Sequence, residues 1–299
     1  MAQIDPAQLP APALVETIEF EAYLAQRKAE VLAALPEAQR AAVADVLALE
    51  SEPMTVLLIT TAYHEMTLRQ HVNEAAVATM LVRAGGADLD NRAADYGVSR
   101  LLISPGDPSA VPPVPPEWES DERLRLRAQM ALEGLSVAGS RGAYLFHALS
   151  ASADVADAQI HSPAGGDVHV YVLDRRGDGI PDAALRDTVQ AALSAETVRP
   201  LCDRVEVKPA VPIATVIHAL LEFEDGGEAL SGGLEGARAR IDALLLAKRR
   251  LNGPLARSAL DAALHIAGVR RVQLLAPAED LLCDIGEFPT AAAITLERR

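Results

Sequence analysis

Aromatic side chains are scarce in this chain of 299 residues: one Trp, five Tyr and four Phe. A core of stacked rings is therefore excluded, and the apolar half of the chain must pack as Ala, Leu and Val, which favour close helix contacts and regular strands. Cysteine is scarcer still, with two residues, Cys202 and Cys283, far apart and without CxxC spacing. That excludes a disulfide framework and a cysteine zinc site, and both read as reduced, half-buried thiols. Positive charge is also short: 27 Lys and Arg stand against 42 Asp and Glu, a formal net charge of −15, with a pI near 4.9. Phosphate binding needs concentrated positive potential, so neither a nucleic-acid groove nor an acidic membrane surface suits this chain. No run of about 18 uncharged apolar residues occurs, so no transmembrane helix is expected. The opening MAQIDPAQLPAP lacks a basic segment followed by an apolar one, so no signal peptide is expected either.

What is present is enough length for about two domains, and a folded body of this mass buries roughly three quarters of its extended surface. Pro6, Pro10 and Pro12 make residues 1–15 an extended arm of a kind that often lies on a neighbour. Phe20, Tyr23, Leu24, Val31 and Leu35 recur at helical spacing, Pro36 stops that helix, and a second runs from Glu37 to about Leu49. The longest periodic segment spans Pro53 to about Arg83, about 46 Å of helix at 1.5 Å per residue, too long for its own globule to enclose. One face is assigned Leu58, Ala62, Met66, Val72, Ala76 and Met80, flanked by Leu57, Leu68 and Ala75, opposite a polar stripe of Thr60, His64, Thr67, His71 and Glu74. Leu57, Leu58, Met66, Leu68, Val72 and Met80 are the candidate partner-contact residues. Glu65 and Arg69 stand at pairing distance, and Asp88 caps a short helix that closes at Gly97.

Residues 104–117, with six prolines and a glycine, read as a linker. Beyond it the pattern alternates. Ser120 opens an amphipathic helix that ends at Gly134, and a short helix runs from Gly142 to Leu149. Strands follow at Val155–Ile160 and Asp167–Leu173, the latter with Val168, Val170 and Val172 on one face. Pro181 opens a helix carrying Leu185, Val189 and Leu193 inward, and Arg204–Lys208 forms the next strand. A second cycle comprises a strand at Ile213–Phe223, a flexible glycine-rich turn, helices Leu234–Arg249 and Ser258–Ile266, and a strand at Val269–Leu275. The fold class is α+β: an N-terminal long-helix region followed by two small α+β domains. The boundaries are 1–103 for the arm and helical bundle, 104–118 for the proline-rich loop, 119–209 for the first α+β domain and 210–299 for the second.

Few constellations suggest chemistry. Asp174, Asp178 and Asp182 surround two glycines but lack the DxDxDG spacing and closing Glu of a calcium loop, so a hairpin-like turn into a helix whose first turn prefers acids is the simpler reading. Gly134-Leu-Ser136-Val-Ala-Gly139 approaches GxSxG with its second glycine one place late, and it follows a helix where a nucleophile elbow needs a strand. His64 and His71 are about 10 Å apart along one helix, too far to share a metal ion. His147, His161, His169, His218 and His265 are scattered, and Cys202, near Arg199 and Arg204, has no definable histidine partner. The glycines at 225–236 do not follow a strand–GxGxxG–helix order. No catalytic, cofactor-binding or metal-binding residue is assigned. A cytosolic hydrolase using Ser136 or Cys202 stands as the alternative from another class, and a calcium-stabilised module at the three aspartates as a third.

Several segments, in order, resemble the baseplate assembly protein J (baseplate J-like) family of contractile-tailed phages and R-type pyocins. They are LPAPALVETIEFEAYLAQRKAEV, LALESEPMTVLL, LRQHVNEAA, GADLDNRAADYGVSRL, the long stretch DERLRLRAQMALEGLSVAGSRGAYLFHALSASADVADAQIHSP, GDVHVYVL, VRPLCDRVEV and SALDAALHIAGVRRVQLLAPAEDL. They span nearly the whole chain; the loops at 104–117 and 224–236 match weakly. The resemblance implies a structural wedge subunit related to the inner-ring wedge component of T-even phages. Its N-terminal helices would bundle with other baseplate wedge proteins, and its C-terminal α+β domains would pair with further copies of itself, linking wedges into a sixfold ring around the tail hub and spike region. It implies no cofactor, no nucleic acid and no membrane, and a location in the virion or tailocin particle after a stay in the host cytoplasm. The family offers no catalytic residue to carry over.

Overall fold

A computed structural model of the protein describes residues 8–10, 12 and 16–299. The chain divides into two compact units, Ala2–Ser99 and Arg100–Arg299, and its class is α+β.

The first unit is helical: α1 (Phe20–Ala34), α2 (Glu37–Leu47), α3 (Pro53–Ala78) and α4 (Gly86–Ala94). Pro36 punctuates α1 and α2 as expected, because the residue before a proline avoids the helical region, and Leu35 is extended at φ −88°, ψ 150°. Pro53 sits in the first turn of α3, where its missing N–H is not needed. α3 has 26 residues, about 39 Å. It is shorter than the periodicity suggested because Thr79 caps it and turns secured by Arg83 N–H to Met80 O (2.9 Å) follow. Ala62 and Ala76 of α3, with Leu24, Leu47, Leu89 and Ala93, are buried in this unit. A polar chain ties α1 to α3. Arg27 donates to Glu65 from Nε at 2.9 Å, Glu65 accepts from Arg69 Nε at 3.1 Å, and Arg69 Nη1 reaches Glu16 at 2.6 Å. The Asn73 carboxamide, itself buried, accepts from Glu16 N–H (3.1 Å) and donates to Glu16 O (2.9 Å). Of the arm read at 1–15, residues 1–7, 11 and 13–15 lie outside the described residues; Leu9 and Pro10 accept from Arg83 of the same helical unit.

The second unit holds the sheets. β1 (Leu102–Ser104) and β2 (Glu117–Trp118) pair across the proline-rich stretch, so what reads as a linker is an excursion closed on itself by reciprocal Asp107–Val114 backbone bonds of 2.9 Å. α5 (Asp121–Gly134) and α6 (Arg141–Ala151) begin at Ser120 and Ser140, whose hydroxyls accept from Arg123 N–H and Ala143 N–H. β3 (Val155–Ala164) and β4 (Asp167–Asp174) form an antiparallel pair, and β4 runs parallel to β5 (Arg204–Pro209) through α7 (Ala183–Leu193). Asp182, not Pro181, opens α7: its carboxylate accepts from Leu185 N–H at 2.7 Å, leaving Pro181 outside the helix. Tyr144, Leu149, Val155, Ile160, Val168, Val170, Val172, Leu185, Val189 and Leu193 form the core.

The second sheet has the order β7-β6-β8, from β6 (Val211–Phe223), β7 (Val269–Ala276) and β8 (Glu287–Arg298), covered by α9 (Gly233–Lys248) and α10 (Arg257–Leu264). Its core centres on Ile217, Ala219, Leu221, Ile241, Leu255, Leu260 and Leu264. The glycine-rich segment is not a flexible connection: it contains α8 (Gly227–Ser231). A Cβ on Gly227 would lie 2.1 Å from Gly268 O, and one on Gly268 2.5 Å from Gly227 O, so these glycines permit a close backbone contact. The two sheets share a third cluster, Leu173, Ala210, Leu251 and Phe288. Beside it Asp157 accepts from Leu251 N–H (3.0 Å) and Gln159 from Gly286 N–H (2.7 Å).

Candidate assembly interface

α3 divides its apolar side chains between two faces. At 100° per residue, Thr55, Leu58, Ala62, Met66, Asn73 and Ala76 point to one side, and all six are buried or half-buried. Leu57 and Leu68 lie on the opposite side, each 65% exposed, with Val72 beside them at 55%. The six candidate contact residues therefore do not share a face, which corrects the single stripe read from the sequence. Leu57, Leu68 and Val72 are open to solvent, Leu58 and Met66 are half-covered by their own unit, and Met80 lies in the turn past the helix.

The outward face has a regular spacing. Leu57, Thr61, His64, Leu68, His71 and Ala75 are all exposed and follow one another at intervals of four, three, four, three and four, the spacing of a coiled-coil seam. The polar stripe of Thr60, His64, Thr67, His71 and Glu74 thus lies on the same side as the exposed leucines, where the sequence reading set it opposite the apolar face. α3 has three formally charged residues, Glu65, Arg69 and Glu74. Two of them turn away: Glu65 is hydrogen-bonded by Arg27 and Arg69, which hold its carboxyl below the usual range, Arg27 contributing most. From Leu57 to Ala75 the seam positions themselves are uncharged over about 27 Å (18 steps at 1.5 Å each), with Glu74 exposed at their edge, on a chain of net charge −15.

The other sequence candidates have local roles. Arg176 lies among the three aspartates, with Asp174 accepting from its Nη2 (2.8 Å) and Asp182 from the same nitrogen (3.3 Å). Asp178 accepts from Ile180 N–H (3.0 Å), and Asp182 caps α7. Among the described residues no group of three or more His, Cys, Asp or Glu side chains is placed to hold a metal ion. Ser136 Oγ accepts from Ala138 N–H at 3.4 Å in the loop after α5, and His147 bonds Gly134 O at 3.1 Å. Cys202 is exposed and Cys283 buried, with the Cys283 thiol pushed up by burial. His161 and His169 face each other across β3 and β4 with ring centroids 6.5 Å apart.

Sequence reasoning missed one buried polar cluster. Glu119, completely enclosed, accepts from Arg127 and from Leu101 N–H (3.0 Å) and lies 3.2 Å from Arg123 Nε. Arg123 also donates to Leu149 O, Ser152 O and Ala153 O at 2.9–3.0 Å, capping the end of α6. Burial lowers the pKa of both arginines. The signal was present in DERLRLR, where Arg123 and Arg127 recur every four residues after Glu119, but it reads equally well as a solvated helix face.

Comparison with known proteins finds matches in both units. Residues 50–107 match the baseplate J-like N-terminal domain, and residues 136–209 match the baseplate J-like central domain. Baseplate protein J of Escherichia phage P2 is 46% identical over 283 residues, covering 94% of this chain and 93% of that protein. The chain belongs to the baseplate J-like family. Membership carries the coarse function, that of a structural protein of the phage baseplate, a virion component that interacts with other baseplate proteins. The N-terminal match contains all of α3, and the central match contains α6 through β5 with the first sheet's core. No helix among the described residues is long and apolar enough to cross a membrane.

Proposed function

We propose that this baseplate J-like protein is a wedge subunit of a contractile-tail baseplate, in a phage or an R-type tailocin, with no enzymatic activity. The outward face of α3 packs against helices of neighbouring wedge proteins. Residues 138–275 contact further copies and link wedges into a sixfold ring around the tail hub. The division of labour follows 1–103 for bundling, then 119–209 and 210–299 for ring contacts, with 104–118 between. Before assembly the chain resides in the host cytoplasm, where its negative charge favours solubility.

The uncharged outward seam of α3 carries this reading. Exposed apolar residues at heptad spacing suit a second helix, and burying a leucine side chain contributes roughly 1.5–3 kcal/mol. Leu57→Glu/Leu68→Glu places two charges in that seam without touching the unit's own core. Supplied to particles lacking the natural chain, it should fold normally and yield no closed baseplates. Closed baseplates in normal number would refute the bundling role.

A further inference from the structure

The register of the first sheet sets three side chains of metal-ligand type in one row. His161 of β3 stands directly opposite His169 of β4, and His169 directly opposite Glu206 of β5. Their neighbours Ile160, Val168, Val170 and Val205 are buried in the core, so by strand alternation the row lies on the other face of the sheet. Solvent reaches it: His161 is half-buried, and the His169 and Glu206 side chains are 20% and 60% exposed. The next row, Gln159 and Tyr171, is closed by Gly286, whose N–H donates to Gln159 at 2.7 Å and whose added Cβ would lie 2.3 Å from the Tyr171 ring.

The members of the row are already close. The two imidazole rings have centroids 6.5 Å apart, and His169 Nε2 is 3.5 Å from a Glu206 carboxylate oxygen. Lys208 Nζ lies 3.7 Å from the same oxygen, and Asp167 stands opposite Arg204 one row further on. As placed, the three donors do not converge on one point. Directly opposed residues, however, have Cβ atoms about 4.5–5.5 Å apart, which lets the two rings turn until a nitrogen of each reaches a shared ion at about 2.0–2.1 Å. A carboxylate has two oxygens, so Glu206 can give one to the ion and leave the other to Lys208.

We propose that His161, His169 and Glu206 form a site for a divalent transition-metal ion of the zinc type, with water in the fourth position. Two imidazoles and one carboxylate are a zinc donor set. Imidazole nitrogen selects against magnesium and calcium, which take oxygen ligands, and a row without thiolate selects against copper(I). The acidic chain raises the local concentration of every cation, so the donor set is what discriminates among them. Bound there, the ion ties β3, β4 and β5 together across the face turned away from α6 and α7. The inference concerns the first sheet and stands apart from the α3 reading.

The test uses the full chain carrying Cys202→Ser, which removes the exposed thiol as a competing ligand. Titration calorimetry with zinc chloride should show one ion per chain with a Kd of about 10 µM. Zinc at about 0.2 mM should raise the thermal midpoint by about 5 °C, and magnesium at the same concentration should do neither. His161→Asn, His169→Asn and Glu206→Gln, all on the outward face, should each weaken uptake about tenfold or more and leave the midpoint in the presence of a chelator unchanged. No zinc uptake, uptake that magnesium matches, or uptake undiminished in any of the three variants would overturn the proposal without touching the α3 reading.

Discussion

α7 turns Leu185, Val189 and Leu193 into the core of the first sheet, and none is more than 5% exposed. α3 is more than twice as long and keeps Leu57, Leu68 and Val72 in solvent. α7 crosses over a sheet whose flat face accepts the whole apolar side of a helix. α3 meets α1 and α2 along one side, and a helix presents only a strip to each neighbour. Where a unit is built from helices alone and few of them, apolar surface is left over. In this chain that surplus is uncharged and regularly spaced, which separates an unfinished interface from ordinary surface hydrophobes.

The sharpest way to break this contrast is one chemical change at both places. Val189→Asp should unfold the sheet unit, at a cost above about 4 kcal/mol for an unpaired buried charge. Leu68→Asp should shift stability by no more than about 0.5 kcal/mol, as at other surface positions. Urea titration of the two variants decides, and equal losses would mean that α3's outer face is part of its own unit's core.

The next effect lies in the enclosed polar cluster. Glu119→Ala leaves Arg127 without its carboxylate and should cost about 3 kcal/mol, read as a lower urea midpoint with unchanged slope. Glu65→Gln, in the solvent-facing network of the helical unit, should cost far less. Arg27 and Arg69 hold the Glu65 carboxyl below its usual range. Its stabilisation is therefore present above the unfolded carboxyl range and lost as pH falls through the folded value. A loss on Glu65→Gln should accordingly be visible at pH 7 and absent in strong acid.

The smallest effect concerns the joint between the sheets. Burial raises the Asp157 pKa despite hydrogen bonds from Leu251 and Ala158 and the nearby Arg250 charge. Stability linked to this group is thus greatest in acid and declines as pH rises past the unfolded carboxyl value toward the folded one. Asp157→Asn abolishes that decline and forfeits one of the two accepted N–H bonds. It should be less stable than the natural chain near pH 4, with the gap narrowing toward neutrality, as melting at both pH values would show.

Much of the fold could be read from the residues because local chemistry enforced it. Pro36 and Pro53 can occupy few helical positions, Ser120 caps α5 through its own oxygen, and valine alternation sets the inward face of β4. β8 was not readable, since Pro289 and three successive alanines blur its alternation, and a proline is tolerated there because the strand lies at an edge. α8 was hidden because glycines that allow the close approach of residues 227 and 268 look the same in sequence as glycines that permit flexibility. The faces of α3 were misjudged for a related reason. Its apolar residues cover more than half the helix circumference, and only the position of α1 decides which of them turn inward.

The most direct test of the claim that α3 is shared between molecules is solvent access at position 68. A Leu68→Cys/Cys202→Ser chain should react rapidly with a maleimide when free and resist labelling once built into tail particles. Equal labelling of the free and the assembled chain would contradict it.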